Sequence, residues 1–303
     1  MSFRPVKSAT LAQPTIEGAG VKLHRAFGFH NPDMFDPYLL FDDFRNEAPE
    51  DYAKGFPWHP HRGIETITYV LTGSVTHKDS LNNEGTLGAG AVQWMTAGSG
   101  IMHQEMPKGN AQGQMHGFQL WANLPASLKM TAPRYQDVEG KDIPEIIDDD
   151  GTQVRIIIGE FWGKRGPVDG IASDPQYLDI FVPAGVRKTF KVDTYRHAFA
   201  YVFDGAGRFD DAAPPKGVLL EKEVMGEELN IRDLSGDRTL IQFGTGDEVT
   251  VQAGPDGIRF LLISGAPLNE PIAWHGPIVM NTRDELKQAV QDLNNGTFIK
   301  PAH

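Results

Sequence analysis

Two short histidine motifs, His59-Pro-His61 and His103-Gln-Glu105, stand one hairpin's length apart in the chain. Side chains alternate along an extended strand, so His59 and His61 share one face, and His103 and Glu105 share one face of their own strand. Two such pairs on facing strands can converge on one cation. Imidazole with carboxylate suits Fe, Mn, Co, Ni, Cu or Zn, so ligand type alone leaves the metal open. Four protein ligands on an octahedral ion would leave two positions for water, substrate or dioxygen.

The chain between the two motifs has the pattern of a β-meander. Residues 64–71 are rich in β-branched and aromatic side chains. Their alternation puts the apolar residues Ile67, Tyr69 and Leu71 on the same face as the two histidines, and Thr66 and Thr68 on the opposite face. We therefore expect the histidines to face inward. Gly98-Ser-Gly100 lacks the helix and lysine of a nucleotide-binding loop, and we interpret it as a turn that aims His103.

Short apolar segments separated by Gly, Pro, Asn and Asp predict further strands in both halves of the chain. One helix is predicted near the end, where Thr282 and Glu285 form a capping box and Gly296 follows the last turn. Its apolar stripe comprises Leu286, Ala289, Val290 and Leu293. The predicted strands lie at residues 21–27, 38–44, 64–71, 91–95, 116–124, 154–158, 177–182, 198–203, 240–243, 248–252 and 258–263.

Length and composition limit the classes of protein that are open. At 303 residues the chain predicts two domains of about 150 residues each. A formal net charge of −12 disfavours direct binding to nucleic acid or to an anionic membrane. The absence of cysteine excludes disulfides and thiolate metal sites. No apolar run is long enough for a signal core or a membrane span, so we expect a soluble cytoplasmic protein, with a nuclear location also open in a eukaryote.

Other histidines and one glutamate have to be weighed as metal ligands against structural or surface roles. An isolated His-x-His can be a loop of solvated histidines, and His77 and His116 have the context of structural or surface residues. His24, His30 and His197 are isolated, while His275 precedes the late helix. Glu65 shares the parity of His59 and His61 and competes with Glu105 for the role of fourth ligand.

Several long motifs together resemble the cupin superfamily and, within it, the pirin family. They are Gly55-Phe-Pro-Trp-His59-Pro-His61-Arg-Gly-Ile-Glu65-Thr66, Gln93-Trp-Met-Thr-Ala-Gly-Ser-Gly-Ile-Met-His103-Gln-Glu105-Met-Pro107, Gly117-Phe-Gln-Leu-Trp-Ala-Asn-Leu124 and His275-Gly-Pro-Ile-Val-Met-Asn-Thr282. The resemblance implies an all-β fold of two tandem cupin (double-stranded β-helix, or jelly-roll) barrels with a few short helices, one near the C-terminus. We expect a metal-binding cupin domain over residues 1–130, a linker over 131–150, and a second cupin domain over 151–303 that lacks a metal site and ends in the helix.

The resemblance also implies the metal centre. Its ligands would be His59, His61, His103 and Glu105, and its metal Fe(II), with Mn, Co, Ni, Cu or Zn as other divalent candidates. In the pirin pattern Glu105 takes the role of fourth ligand, which leaves Glu65 as a hydrogen-bonding or salt-bridging residue near the site. In the second domain, His197-Ala-Phe199-Ala-Tyr201 stands where a His-x-His would be expected.

Two functions of different classes fit this resemblance. The first is a quercetin 2,3-dioxygenase type of oxidoreductase, in which a flavonol binds through its 3-hydroxyl oxygen, dioxygen adds, and the heterocycle opens with loss of carbon monoxide. Glu105 would then be both ligand and catalytic base. The second is an iron-dependent, redox-sensing regulatory protein that binds transcription factors or metabolic enzymes. We favour the enzyme, because an open metal site in an apolar barrel suffices for it, whereas a partner surface is not visible in sequence.

Overall fold

The computed structural model describes residues 2–30, 32–209 and 234–300. The first twelve strands are β1 (Val6–Leu11), β2 (Gln13–Glu17), β3 (Val21–Phe27), β4 (Tyr38–Asp43), β5 (Phe56–His61), β6 (Ile64–Thr72), β7 (Ser74–Asp79), β8 (Glu84–Leu87), β9 (Val92–Thr96), β10 (Ile101–Lys108), β11 (His116–Asn123) and β12 (Arg134–Val138). The later strands are β13 (Glu145–Ile147), β14 (Gln153–Ile158), β15 (Glu160–Phe161), β16 (Lys164–Arg165), β17 (Gln176–Val182), β18 (Arg187–Lys191), β19 (His197–Phe209), β20 (Thr239–Phe243), β21 (Glu248–Gly265), β22 (Ala273–His275) and β23 (Ile278–Met280). One α-helix, α1, spans Arg283–Asn294, and short 3-10 turns lie at Pro32–Phe35, Pro49–Asp51, Ala126–Leu128 and Gly140–Asp142.

The chain folds into two compact units, and each unit is made of two segments that are separate in sequence. Pro14–Asp142 and Leu268–His303 form one unit, which we call the histidine unit, and Met1–Gln13 and Ile143–Pro267 form the second unit. The predicted linker region contributes β12 to the first of these and β13 to the other. The boundaries 1–130, 131–150 and 151–303 remain predictions.

The histidine unit is built from two antiparallel sheets whose side chains meet between them. The larger has the strand order β12-β9-β6-β11-β4-β3-β2, and the smaller has the order β5-β10-β7-β8. The two histidine motifs lie on neighbouring strands of the smaller sheet, where His103 of β10 is directly opposite His59 of β5. The sequence predicted facing strands, and in the structure the two strands are antiparallel neighbours within one sheet.

The face of β6 that meets the histidine strands carries Thr68, not Ile67 and Tyr69. Thr68 shares its face with the polar partners Gln93 and Gln119 on the two neighbouring strands, whereas Ile67 is in register with Leu120 and Trp94. The parity prediction was wrong because the chain turns between β5 and β6 and enters a different sheet. Gly63 makes this turn with a φ of +77°, which breaks the alternation carried over from His61.

The second unit is an antiparallel sheet whose interior is filled with apolar side chains. Its main path is β1-β20-β19-β21-β17-β14-β13, with β18 added along β21. The two strands predicted at 248–252 and 258–263 are halves of the single long strand β21. The core is lined mainly by residues from these strands, including Phe190, Phe209, Phe243, Phe260, Ile156, Ile180 and Val251.

Helix α1 confirms the predicted capping box, because Thr282 accepts from the Glu285 amide and the Glu285 carboxylate accepts from the Thr282 amide. The predicted apolar stripe is only partly correct. Ala289 is buried, but Val290 and Leu293 are 36% and 38% exposed. The helix buries Asp292 instead, since its carboxylate pairs with Arg62 and Lys300. No helix among the described residues is long and apolar enough to cross a membrane.

Candidate metal centre

Three imidazoles converge between the sheets of the histidine unit. The Nε2 atom of His59 is 3.1 Å from Nε2 of His61 and 2.9 Å from Nε2 of His103. His61 and His103 are almost fully buried, while His59 is half-buried. Along β5 the period of two brings His59 and His61 together, and pairing with β10 brings His103 opposite them.

The outer ring nitrogens of two of these histidines are hydrogen-bonded to backbone carbonyls. Nδ1 of His59 lies 2.9 Å from the oxygen of Pro57, and Nδ1 of His61 lies 3.3 Å from the oxygen of Pro277. A carbonyl oxygen can only accept, so each Nδ1 carries the proton and each Nε2 carries a lone pair. Nδ1 of His103 is buried without a hydrogen-bond partner among the described residues.

The Nε2 lone pairs of His59 and His61 lie within 3.1 Å of each other, which is unfavourable unless a proton or a metal ion lies between them. A proton is a poor candidate, because burial lowers the pKa of His59 and lowers the pKa values of His61 and His103 well below their usual range. A metal ion suits the spacing. Bonds of about 2.1 Å from imidazole to metal, at right angles, separate the two nitrogens by about 3.0 Å. The three histidines form a group that could hold a metal ion.

The Glu105 carboxylate is close to this triad but stands apart from it. Its Oε2 is 4.0 Å from Nε2 of His103, and the residue is 8% exposed. A β-bulge explains the offset, since His103 pairs with His59 whereas Glu105 pairs with Phe56. Burial raises the pKa of Glu105 to about 7, opposed by the hydrogen bond from Thr68. A divalent cation beside the carboxylate would favour its ionised form.

Thr68 links Glu105 to the larger sheet. Its hydroxyl oxygen lies 3.3 Å from Oε1 of Glu105 and 2.8 Å from the side-chain oxygen of Gln119. A hydroxyl has one proton and can donate to only one acceptor at a time. An ionised Glu105 can only accept, so donation from Thr68 to Glu105 is the arrangement that suits the carboxylate.

A cavity of about 400 Å³ opens onto the triad within the histidine unit. His59, His61 and Glu105 form one part of its wall, and four aromatic side chains form another part. Trp121 packs edge-on against His61 with 5.1 Å between ring centres. The aromatic lining consists of Phe29, Phe44, Phe56 and Trp121.

A row of polar side chains crosses one face of the larger sheet along the cavity. Arg25, Asp42, Gln119 and Thr68 occupy successive strands in direct register. The Arg25 guanidinium binds the Asp42 carboxylate through two nitrogens, at 2.8 and 2.7 Å, and binds Glu17 at 2.9 Å. Burial raises the pKa of Asp42 to about 6 despite the Arg25 contact. The row runs from this ion pair to Thr68, which contacts Glu105.

Glu65 lies on the other face of β6, away from Thr68. It accepts a hydrogen bond of 2.7 Å from Thr96, with which it is in register on β9. Burial raises its pKa. His77 is buried, with Nε2 2.8 Å from the side-chain nitrogen of Gln93, which agrees with the structural role predicted for it.

The remaining candidates of the sequence have structural or surface positions. His197 is exposed at the start of β19, and His275 ends β22 before the turn that leads to β23. Gly98-Ser-Gly100 forms the predicted turn between β9 and β10.

Sequence reasoning missed the contribution of Arg25, Asp42 and Gln119 to the cavity, as well as that of Pro277. These residues belong to strands or turns distant in sequence from the histidines, so only cross-strand register brings them together. The Arg25 and Asp42 pairing carried a weak signal, since the two residues have opposite charges and lie in neighbouring predicted strands.

Comparison with known proteins identifies the family. The family models described as Pirin and Pirin C-terminal cupin domain match residues 20–122 and 177–299. A pirin-like protein of Caulobacter vibrioides is 44% identical over 98% of this chain and 100% of the relative. A Pseudomonas aeruginosa protein provisionally named quercetin 2,3-dioxygenase is 37% identical, with 98% of each chain covered.

A crystal structure of quercetin 2,3-dioxygenase from Acinetobacter baumannii matches with a TM-score of 0.84 at 31% identity, covering 98% of this chain and 99% of that one. The predicted all-β fold of two cupin domains is thereby confirmed. With matches to both domain models and to relatives along nearly its whole length, this chain belongs to the pirin family of bicupins.

Proposed function

We propose that this protein is a mononuclear non-haem iron dioxygenase of the quercetin 2,3-dioxygenase type, acting on flavonols. His59, His61, His103 and Glu105 are the proposed metal ligands. The observation that carries the proposal is the convergence of three imidazole Nε2 atoms with a buried carboxylate beside them. Two of these histidines and the carboxylate line a cavity that also has four aromatic side chains in its wall.

The comparisons support the reaction class, because relatives and a solved structure above 30% identity have names that refer to quercetin 2,3-dioxygenase. Imidazole and carboxylate ligands with open positions are also typical of non-haem Fe(II) oxygenases, which is why we propose Fe(II). When bound, the metal would supply open coordination positions and one-electron chemistry with dioxygen.

We assign to Glu105 the removal of a proton from a phenolic or enolic hydroxyl of the substrate. Glu105 lines the cavity, and its burial makes the carboxylate a stronger proton acceptor than an exposed carboxylate. Thr68 holds Oε1 of the same carboxylate and fixes its direction. Glu105 is therefore the proposed catalytic base, with Thr68 as the residue that orients it.

The rest of the cavity suits a flat molecule that carries hydroxyl groups. Aromatic walls such as Phe29 and Trp121 exclude water and offer faces for planar rings. At the other end of the polar row, the Asp42 carboxylate can accept from a hydroxyl of the ligand. Asp42 and Thr68 are two strands apart, about 10 Å along the sheet, which is the scale of a two- or three-ring molecule.

The direct test is metal analysis of protein purified without chelator, followed by oxygen uptake with a flavonol. We expect iron at the site, together with oxygen consumption and carbon monoxide release in step with flavonol loss. Metal without oxygen consumption over a panel of flavonols would contradict the enzyme and favour the iron-dependent regulatory role instead.

A further inference from the structure

The carbonyl that fixes the tautomer of His61 comes from a distant part of the chain. Pro277 lies in the turn between β22 and β23, and its oxygen accepts from Nδ1 of His61 at 3.3 Å. For His59 the equivalent carbonyl is that of Pro57, only two residues away on the same strand. The two histidines therefore differ in that only His61 depends on the C-terminal segment, residues 268–300.

The turn that presents Pro277 is shaped by its own side chains. Nε1 of Trp274 donates to the oxygen of Gly276 at 2.7 Å, which ties the two ends of the turn together. The Trp274 ring also lies against Phe29, with 4.6 Å between ring centres, and near Trp121 at 6.2 Å. Both neighbours line the cavity, so the turn is fixed to the wall of the site.

Strand β23 is attached to the chain immediately after His61. The amide of Val279 donates to the oxygen of Arg62 at 3.0 Å, and Nζ of Lys129 bridges the oxygens of Val279 and Gly63 at 2.9 and 2.8 Å. A Cβ atom at Gly63 would lie 2.0 Å from the oxygen of Val279. Only glycine permits this approach, so a displacement of β23 is transmitted to the residues that follow His61.

Helix α1 and the residues after it also contact the chain next to His61, through the side chain of Arg62. The guanidinium is 2% exposed, and it donates to Asp292 at 2.8 Å and to the oxygen of Phe298 at 2.9 Å. It also lies 4.2 Å above the Phe298 ring. Nζ of Lys300 donates a further hydrogen bond to the Asp292 carboxylate at 2.9 Å. A buried ion pair thus joins the residue next to His61 to the helix.

We infer that the C-terminal segment is a positioning element of the metal centre, with Asp292 and Trp274 as positioning residues that act on His61 through Arg62 and the Pro277 carbonyl. The inference rests on the metal site proposed above. It predicts that remote changes in this segment weaken metal binding through one histidine, with no change to any ligand.

Asp292→Asn in the full chain tests the helix contact, and Asp284→Asn is its matched control. Asp284 is on the same helix, is exposed, and forms an ion pair with Lys287 on the helix surface. Measured by competition with a chelator, Co(II) affinity should fall about tenfold in Asp292→Asn, the scale of change seen when a residue supporting a ligand is lost. It should be unchanged in Asp284→Asn and largely restored in Asp292→Glu.

A second readout needs no metal. The ¹⁵N shifts of the imidazoles in the metal-free protein report which nitrogen carries the proton. Asp292→Asn and the milder Trp274→Phe should each reduce the Nδ1–H form of His61 while leaving that of His59 unchanged, since Pro57 is local. Folding of each variant is checked by circular dichroism. If Asp292→Asn does not fold, Trp274→Phe alone is used to test the inference.

The outcomes separate this inference from the proposed function. Folded variants with the wild-type ¹⁵N pattern at His61 and wild-type Co(II) affinity would overturn the inference. Equal changes at His59 and His61 would also overturn it, because they would indicate a general loosening. Failure of the wild-type protein to bind Co(II) would refute the metal site, and the metal-free spectra would still decide whether the segment positions His61.

Discussion

The hydroxyl oxygen of Thr68 lies 3.3 Å from Oε1 of Glu105, joining the larger sheet of the histidine unit to the proposed catalytic carboxylate. A hydrogen bond to a charged acceptor contributes about 1.5–3 kcal/mol. Removing it disfavours the ionised form, so Thr68→Val should raise the pKa of Glu105 by about one to two pH units. The acid limb of the profile of kcat/KM against pH should move to higher pH. Thr66→Val, on the same strand, is the control and should leave the limb in place.

Glu105→Gln separates the proposed role of Glu105 as a base from its proposed role as a metal ligand. The amide oxygen can still serve as a ligand, but the charge and the proton acceptor are lost. We expect weaker metal binding and a fall in rate per bound metal of about a hundred- to ten-thousand-fold. The quantity to measure is turnover divided by metal content.

Glu65→Gln is the comparison for that experiment. Glu65 bonds to Thr96 on the other face of β6, so most of the turnover per metal should remain. If this variant lost its metal while Glu105→Gln kept full activity, the assignment of the fourth ligand to Glu105 would be wrong.

The buried Lys129 should make the free energy of unfolding depend on pH. The side chain is 2% exposed, and burial lowers its pKa to about 7, although three oxygen acceptors surround the amine. Between about pH 7 and 10.5 the unfolded chain binds a proton at this lysine that the folded chain does not hold. Stability from this group therefore rises as pH increases through that range.

Lys129→Met removes this titration and leaves three acceptors without their donor. The variant should be less stable by about 1–3 kcal/mol at pH 7, from urea unfolding. The deficit should widen towards pH 10, as the wild-type protein gains stability that the variant cannot gain. A deficit that shrinks with increasing pH would contradict the lowered pKa of Lys129.

Within each motif, the sequence predicted which side chains share a face, because this depends only on the local period of a strand. His59 and His61 lie two residues apart on one strand, and the register with β10 supplies His103. Helix α1 was predictable for a similar reason, since a capping box is a local pattern.

The contacts that sequence could not supply are those made between segments distant in the chain. Thr68 was placed on the wrong face because Gly63 turns the chain into another sheet, which no alternation pattern reveals. Pro277 reaches His61 across more than two hundred residues of sequence, and Asp292 is buried in a helix position that polarity alone would leave exposed. Such contacts depend on tertiary register, which the sequence pattern does not encode locally.

Metal content tests most directly whether the three histidines hold the functional metal. His59→Ala, His61→Ala and His103→Ala, purified without chelator, should each lose most of the metal while keeping the wild-type circular dichroism spectrum. His197→Ala, at an exposed position of the second unit, should match the wild-type protein at about one metal per chain. Full metal content in any of the three triad variants would contradict the assignment of that histidine, and full content in all three would refute the site.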